Sequence, residues 1–411
     1  MEPSWSETTI GAQILLQRGF DITKAEQRDG SVPVVSSGGV SSYHDTPMVQ
    51  GPGVVLGRKG TLGTVFYVSQ EYWPHDTTLW VKDFKGNVPR FVYYFFKSMS
   101  AELLALDNAT ANPALNRNHV HPIRVSWPSV PVQHRIVDVL GALDDKIELS
   151  RIVNRDLEAL AAGIFKSWFV DFDPVTAKRD GKAPVGVPAE ANRLFPSHFE
   201  DSELGPIPRD WHIAKLGDLA ELNAASLSVK AIPSEIRYVE ISDVHRGDVD
   251  NFTIYARGSE PSRARRIVRD GDTVVSAVRP ERGAYFLCLK PPLNLIVSTG
   301  FVVLTPHPDR WALVYCAATS DDALDYYELH AEGGAYPAIR PEVVDSLRLA
   351  LPPDDAICES FSAIVNPLLT YAHANRVEAK KLADLRDALL PSLLSGEIVL
   401  KAAEKAVAEV V

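Results

Sequence analysis

The chain has 411 residues, 45% of them apolar, with a net charge of −11 and three cysteines, so it can build two or three ordinary cores and is not a disordered polymer. No apolar run approaches the ~18 residues of a membrane span, and the start MEPSWSETT has neither the basic residues nor the apolar core of a signal peptide. Cys288, Cys316 and Cys358 show no CxxC spacing; the expectation is a cytoplasmic protein whose cysteines are buried small apolar residues.

From Trp5 to Val130 the sequence reads as a mixed α/β domain. β-type runs at Val32–Val35, Gly53–Leu56, Thr64–Val68 and Thr78–Val81 alternate with Gly-rich turns, and Arg90–Leu106 reads as a helix. The turn Gly57-Arg-Lys-Gly-Thr-Leu-Gly63 sets Arg58 and Lys59 on a backbone freed by three glycines, which suits close approach to a phosphate or a base edge. A plain hairpin turn with solvated charges is the plainer alternative. Two further loops carry ligand-reaching groups: Ser36-Ser37-Gly38-Gly39 with Tyr43 and His44, and Ala111–His119 with Asn116 and Arg117. Asn and Arg are the side chains whose bidentate geometry reads adenine and guanine.

Residues 133–170 follow as a long helix. Stepping by seven from Ile136 gives Leu143, Ser150, Leu157 and Ile164, flanked by Leu140, Ile147 and Leu160, a coiled-coil pattern with one polar layer. At 1.5 Å per residue it spans roughly 55 Å. The Pro-, Gly- and charge-rich stretch 171–208 reads as a linker anchored by Phe172, Phe195 and Phe199. Its Asp171 and Asp173 are expected in a cap or solvated turn, since no third ligand accompanies them.

A second α/β domain occupies 209–353. The counterpart of the Arg58 turn is Ser276–Gly283, carrying Arg279 and Arg282 between the runs Thr273–Val275 and Ala284–Leu289. Arg257, Arg263, Arg265, Arg266 and Arg269 form a lysine-free cluster, which favours bidentate phosphate or base contacts over a merely solvated surface. Residues 354–396 then repeat the helix: Phe361, Leu368, Asn375, Leu382 and Leu389 match the first series at an offset of 225 positions, polar layer included. Pro113-Ala-Leu-Asn116 and Pro337-Ala-Ile-Arg340, and Trp5/Gly11 and Trp211/Gly217, repeat as well. The chain is a tandem duplication, with a tail at 397–411. The two helices are expected to pair antiparallel, Ser150 near Asn375, Ile136 towards Leu389 and Leu143 towards Leu382.

Net acidity at first argues against nucleic acid. Much of it, however, lies in the first helix and the linker, for example Asp144, Asp145, Glu148, Asp156 and Glu158, and global charge governs solubility more than what one face binds. There is no GxxxxGK[ST] loop, GxGxxG, GxSxG elbow or HExxH. Asn366-Pro-Leu-Leu369 falls inside the second helix and departs from the Asn-Pro-Pro-aromatic pattern of a methyltransferase. The chain reads as a recognition protein rather than an enzyme.

Ile147–Arg155 running into Leu157-Glu-Ala-Leu160, Phe165-Lys-Ser-Trp-Phe-Val-Asp-Phe-Asp-Pro174 and Ser202-Glu-Leu-Gly-Pro-Ile-Pro208 with Trp211 closely resemble the central conserved region of the specificity subunits of type I restriction–modification enzymes. Leu385–Glu397 resembles the distal conserved region of that family, and Gly57–Gly63 with Trp73-Pro-His-Asp-Thr-Thr78 resembles an element of its target recognition domains. The resemblance implies a non-catalytic subunit with two target recognition domains in tandem, 1–132 and 209–353, each reading half of a bipartite, asymmetric site on double-stranded DNA. It also implies an antiparallel helix pair that docks two methyltransferase subunits, with restriction motor–nuclease subunits joining them. S-adenosylmethionine, ATP and Mg then belong to those partners; no cofactor, metal or membrane contact is expected here. The DNA-contacting candidates become Ser37, Tyr43, Arg58, Lys59, Thr61, His75, Asn116 and Arg117 in the first domain. In the second they are Arg263, Arg265, Arg279, Arg282, Tyr336 and Arg340. A protein-binding coiled-coil scaffold and a self-sufficient DNA modification enzyme stay open as alternatives.

Overall fold

Each half of the chain opens on a strand that pairs with the strand leading into a long helix. The computed structural model describes residues 5–105, 114–396 and 400–410; Ala111–Pro113 of the Asn116 loop and Glu397 of the distal region lie outside the described residues. In the first repeat β1 (Trp5–Thr9), α1 (Ile10–Gln13) and β2 (Leu15–Arg18) precede β3 (Val32–Ser36), β4 (Gly39–His44), β5 (Gly53–Gly57), β6 (Val65–Val68), β7 (Trp73–Pro74) and β8 (Thr78–Asp83). Then come α2 (Pro89–Ser98), α3 (Ser100–Ala105), α4 (Arg117–Val120), β9 (Arg124–Pro128) and α5 (Val130–Phe169). The helix expected over Arg90–Leu106, of which Leu106 lies outside the described residues, is two helices up to Ala105, parted at Met99, whose backbone (φ −90°, ψ 6°) leaves the α region. β1 pairs antiparallel with β9. β2-β8-β5-β6 form an antiparallel sheet, and β4-β3-β7 a smaller one with a parallel β3–β7 pair. β5, all apolar or glycine, is buried along its whole length, as a strand covered on both faces must be.

The stretch 171–208 holds α6 (Asp173–Arg179), α7 (Ala189–Leu194) and the hairpin β10 (Phe199–Ser202) and β11 (Gly205–Pro208). Phe172, Val175, Ala191, Phe195 and Ile207 are buried in one core with Trp168 and Trp211, so this stretch is folded and not merely tethered. Asp173 opens α6, and Asp171 pairs with Lys166.

The second repeat runs β12 (His212–Lys215), β13 (Ala220–Leu222), β14 (Glu235–Val239), β15 (Val244–His245), β16 (Asp248–Val249), β17 (Thr253–Ala256), β18 (Ala264–Ile267), β19 (Thr273–Ser276), β20 (Tyr285–Leu287), β21 (Leu295–Ser298) and β22 (Phe301–Pro306). It continues through α8 (Trp311–Thr319), α9 (Asp321–Leu329), α10 (Pro341–Asp345) and β23 (Arg348–Leu351) to α11 (Ala356–Ser395), and α12 (Leu400–Ala408) follows. Its sheets are β13-β22-β19-β20 and β17-β14-β21-β18, with β14–β21 parallel, and β12 pairs with β23. Sheet by sheet this is the first repeat again, with β18 added at one edge and the β15–β16 hairpin inserted. The duplication expected from sequence is present in the topology.

Two units divide the chain, 1–150 with 378–411 and 151–377. Within the first, Ile136, Leu140, Leu143 and Ile147 of α5 share a core with Leu382, Leu390 and Leu393 of α11, and Asp144 is ion-paired with Arg386. Within the second, Phe165, Trp168 and Phe169 surround Phe361, and Glu158 is ion-paired with Arg376. Low numbers on one helix meet high numbers on the other, which makes the pair antiparallel. Ser150 and Asn375 are both buried, each in its own unit. The seam differs from expectation in one respect. Leu160 is exposed, whereas Leu140, Ile147, Asn154, Ala161 and Trp168, also spaced by seven, are all buried. Beyond Ser150 the second polar layer is therefore Asn154.

α12 packs Leu400, Ala403 and Val407 into the first unit's core, with Arg135 paired to Glu404. All three cysteines are buried and unpaired. Among the described residues no helix is long and apolar enough to cross a membrane.

Candidate nucleic-acid interface

In the first unit the Gly57–Gly63 turn is held by backbone hydrogen bonds to two separate segments and tied to a third through threonine hydroxyls. The N–H groups of Arg58 and Lys59 both donate to the Thr77 carbonyl (2.9 and 3.0 Å), and Leu115 N–H donates to the Arg58 carbonyl (3.0 Å). The Thr64 hydroxyl donates to the Ser37 carbonyl (2.7 Å), and Ser37 N–H to the Thr77 hydroxyl (3.3 Å), which also bonds His75 Nδ1 (3.0 Å). Gly57 has no alternative here, since a Cβ would stand 2.1 Å from the Thr61 carbonyl oxygen.

The candidates Ser37, Arg58, Lys59, Thr61, His75, Asn116 and Arg117 thus converge from four loops. They are not equally presented. Lys59, Thr61, Asn116 and Arg117 are exposed, Arg58 and His75 are half-buried, and Ser37 is buried. Arg58 also turns its guanidinium to the Asp76 carbonyl (3.5 Å). Tyr43 stands on β4, in the other sheet, 56% exposed. Asp21, His75 and Asp76 bring one ligand atom each to within 4.8 Å of one another. Asp76 is already ion-paired with Arg18.

The second unit repeats the wiring with other residues. Ala277 N–H donates to the Gly300 carbonyl (2.8 Å) and Ile339 N–H to the Ala277 carbonyl (2.8 Å), as Arg58 and Leu115 do in the first. The turns therefore correspond as expected, but their cations do not: Arg58 aligns with Ala277, and Arg279 with Gly60. Thr299 N–H donates to the Arg263 carbonyl (2.8 Å), so Arg263 joins the loops that hold Arg279, Arg282, Tyr336 and Arg340.

Arg282, Tyr336 and Arg340 are exposed. Arg263 is ion-paired with Glu240, and Arg265 donates to the Ala264 carbonyl. Burial holds the Arg266 guanidinium below its ordinary pKa range, and its Nε has no partner, which fits a packing role for that member of the cluster. Among the described residues, the exposed groups of the two loop sets offer hydrogen bonds and positive charge.

The sequence model of the family described as Type I restriction modification DNA specificity domain matches residues 12–159. The Type I restriction enzyme HindI specificity subunit of Haemophilus influenzae is 23% identical over 363 residues, covering 76% of this chain and 78% of that protein. The Type I restriction enzyme MjaIX specificity subunit of Methanocaldococcus jannaschii is also 23% identical, over 322 residues, covering 76% and 70%. Residues 12–159 thus match the type I restriction–modification specificity domain, and over about three quarters of its length the chain is similar to specificity subunits of that family. A crystal structure of a type I restriction–modification S subunit from M. genitalium aligns with it over 96% of both chains with a TM-score of 0.58, at 17% identity, so the fold is shared.

The residues that organise the candidate surface are not all marked in the sequence. Thr77, whose carbonyl and hydroxyl fix both the Arg58 turn and the Ser37 turn, stands within the quoted Trp73–Thr78 stretch but offers no charge to mark it. Gln133 is fully buried: its amide donates to Asn87 Oδ1 (2.7 Å) and the Pro128 carbonyl (3.0 Å), while its carbonyl accepts Val88 N–H (2.9 Å). It ties α5 to the domain that precedes it. Only its position at the helix start could have signalled this.

Proposed function

We propose that the chain is the DNA sequence-recognition subunit of a type I restriction–modification complex and reads a bipartite, asymmetric site on double-stranded DNA. Target recognition domains at 1–132 and 209–353 each take one half-site. The observation that carries this reading is the repeated frame with changed tips. Leu115 and Ile339 make the same backbone bond, yet one loop set presents Lys59, Thr61, Asn116 and Arg117 and the other Arg279, Arg282, Tyr336 and Arg340. Base edges are told apart by side-chain donors and acceptors on a positioned backbone, so a conserved frame with different side chains is what two unlike half-sites require.

The helices at 133–170 and 354–396, with the segment 171–208 after the first and the tail 397–411 after the second, are assigned to holding the domains and docking two methyltransferase subunits. Exposed Ile152, Leu160, Tyr371 and Val377 on the second unit's helix segments support docking. S-adenosylmethionine, ATP and Mg, and catalysis itself, are assigned to the methyltransferase and restriction motor–nuclease partners, in the cytoplasm. Selection from randomised duplexes by the full chain with its methyltransferase partner is the test. Two short specified blocks separated by a fixed unspecified spacer are expected. Recovery of unselected sequence would show a protein-binding scaffold instead.

A further inference from the structure

Arg279 sits in the turn after β19 with φ +51° and ψ +58°, a left-handed conformation that costs a residue bearing a side chain. Counted from the last sheet-paired residue, Ser276 or Gly57, the equivalent position in the first repeat is Gly60, at φ +82°. The backbone of this turn thus calls for glycine, and the second repeat carries arginine there. Arg279 N–H donates to the Pro337 carbonyl (2.7 Å) and its Nη2 to the Ala335 carbonyl (2.8 Å). Its guanidinium lies 4.5 Å from the ring centroid of Tyr336, which is 72% exposed.

Arg263, by contrast, is neutralised by Glu240, whereas among the described residues no carboxylate pairs with Arg279. Stacking and one backbone bond orient the planar group and leave its remaining donors and its full charge unspent. That is a preorganised fork, matched to the paired O6 and N7 acceptors of guanine in the major groove.

We propose that Arg279, stacked on Tyr336, reads a guanine in the half-site taken by the second recognition domain; this rests on the DNA-recognition reading above. The test compares sequence preference, by selection from randomised duplexes, for the full chain with its methyltransferase partner and for the same complex carrying Arg279→Gly. Glycine suits the left-handed backbone, so this variant should melt no lower than the wild type. It should lose about 5- to 150-fold of preference at one G·C position in one half-site and keep the other half-site. Tyr336→Phe should retain that preference, and Tyr336→Ala should weaken it at the same position. Unchanged preference with Arg279→Gly, or an even loss of affinity over all sequences as for a phosphate contact, overturns the assignment while the recognition reading stands. A wild-type complex with no sequence preference overturns both.

Discussion

Arg386 offers the sharpest energetic test of how α11 is tied to the first unit. Its Nη1 donates to Asp144 Oδ1 (2.6 Å), and the other oxygen of Asp144 accepts the Tyr94 hydroxyl (2.6 Å); the two charged side chains are only 14% and 19% exposed. Burial and the facing carboxylate push the Tyr94 hydroxyl above its ordinary range, so it remains a donor. Arg386→Met keeps the apolar stem and strands the Asp144 charge.

Stranding a fully buried charge costs 3–5 kcal/mol, and residual solvent contact here lowers that to about 2–3 kcal/mol. For a unit of this size it corresponds to a melting temperature lower by roughly 4–12 °C. Asp144→Asn added to Arg386→Met removes the stranded charge and keeps an acceptor for Tyr94, so the double variant should regain more than ~1 kcal/mol over the sum of the single effects. Thermal unfolding by calorimetry near pH 7 reads this. Additivity within ~0.5 kcal/mol would refute a coupled pair.

Gln133→Ala should destabilise the first unit by about 2–3 kcal/mol in denaturant titration, because Val88 N–H and Asn87 lose buried partners. His121 accepts Leu16 N–H at Nε2 (3.0 Å), which requires the neutral ring, and burial followed by the Arg117 and Lys85 charges lowers its pKa. The unfolded state therefore binds the proton more readily, so this contribution is full above about pH 6.5 and is lost as pH falls through the lowered folded value. The pH dependence of melting below 6.5 should weaken in His121→Phe. Lys59→Ala with Arg58→Ala should weaken one half-site only, by about 1–3 kcal/mol in duplex competition.

The architecture was legible because duplication writes it twice: the helix heptads, the Pro-Ala-Leu/Ile segments and the Trp–Gly spacings all recur where the topology recurs. The seam beyond Ser150 was not legible. Leu160 and Asn154 reverse the usual burial preference, and which heptad position faces inward is decided by partners such as Phe361 that lie far away in sequence. The site was half legible. Glycines marked both turns, but the alignment of Arg279 with Gly60 depends on hydrogen bonds from Leu115 and Ile339, and the stacking of Tyr336 on Arg279 depends on a loop distant in sequence, held by the bond from Arg279 to the Ala335 carbonyl. The folding of 171–208 was hidden by its prolines and charges, since a few aromatics suffice to bury it around Trp211.

Methylation mapping of DNA modified by the complex, made with the wild-type chain, with Arg58→Ala/Lys59→Ala and with Arg279→Gly, tests most directly that one scaffold carries two independent readers. A two-part motif is predicted in which the first variant alters only one half, the second alters only the other, and the spacer stays fixed. A single continuous motif, or both halves changing together in either variant, would contradict it.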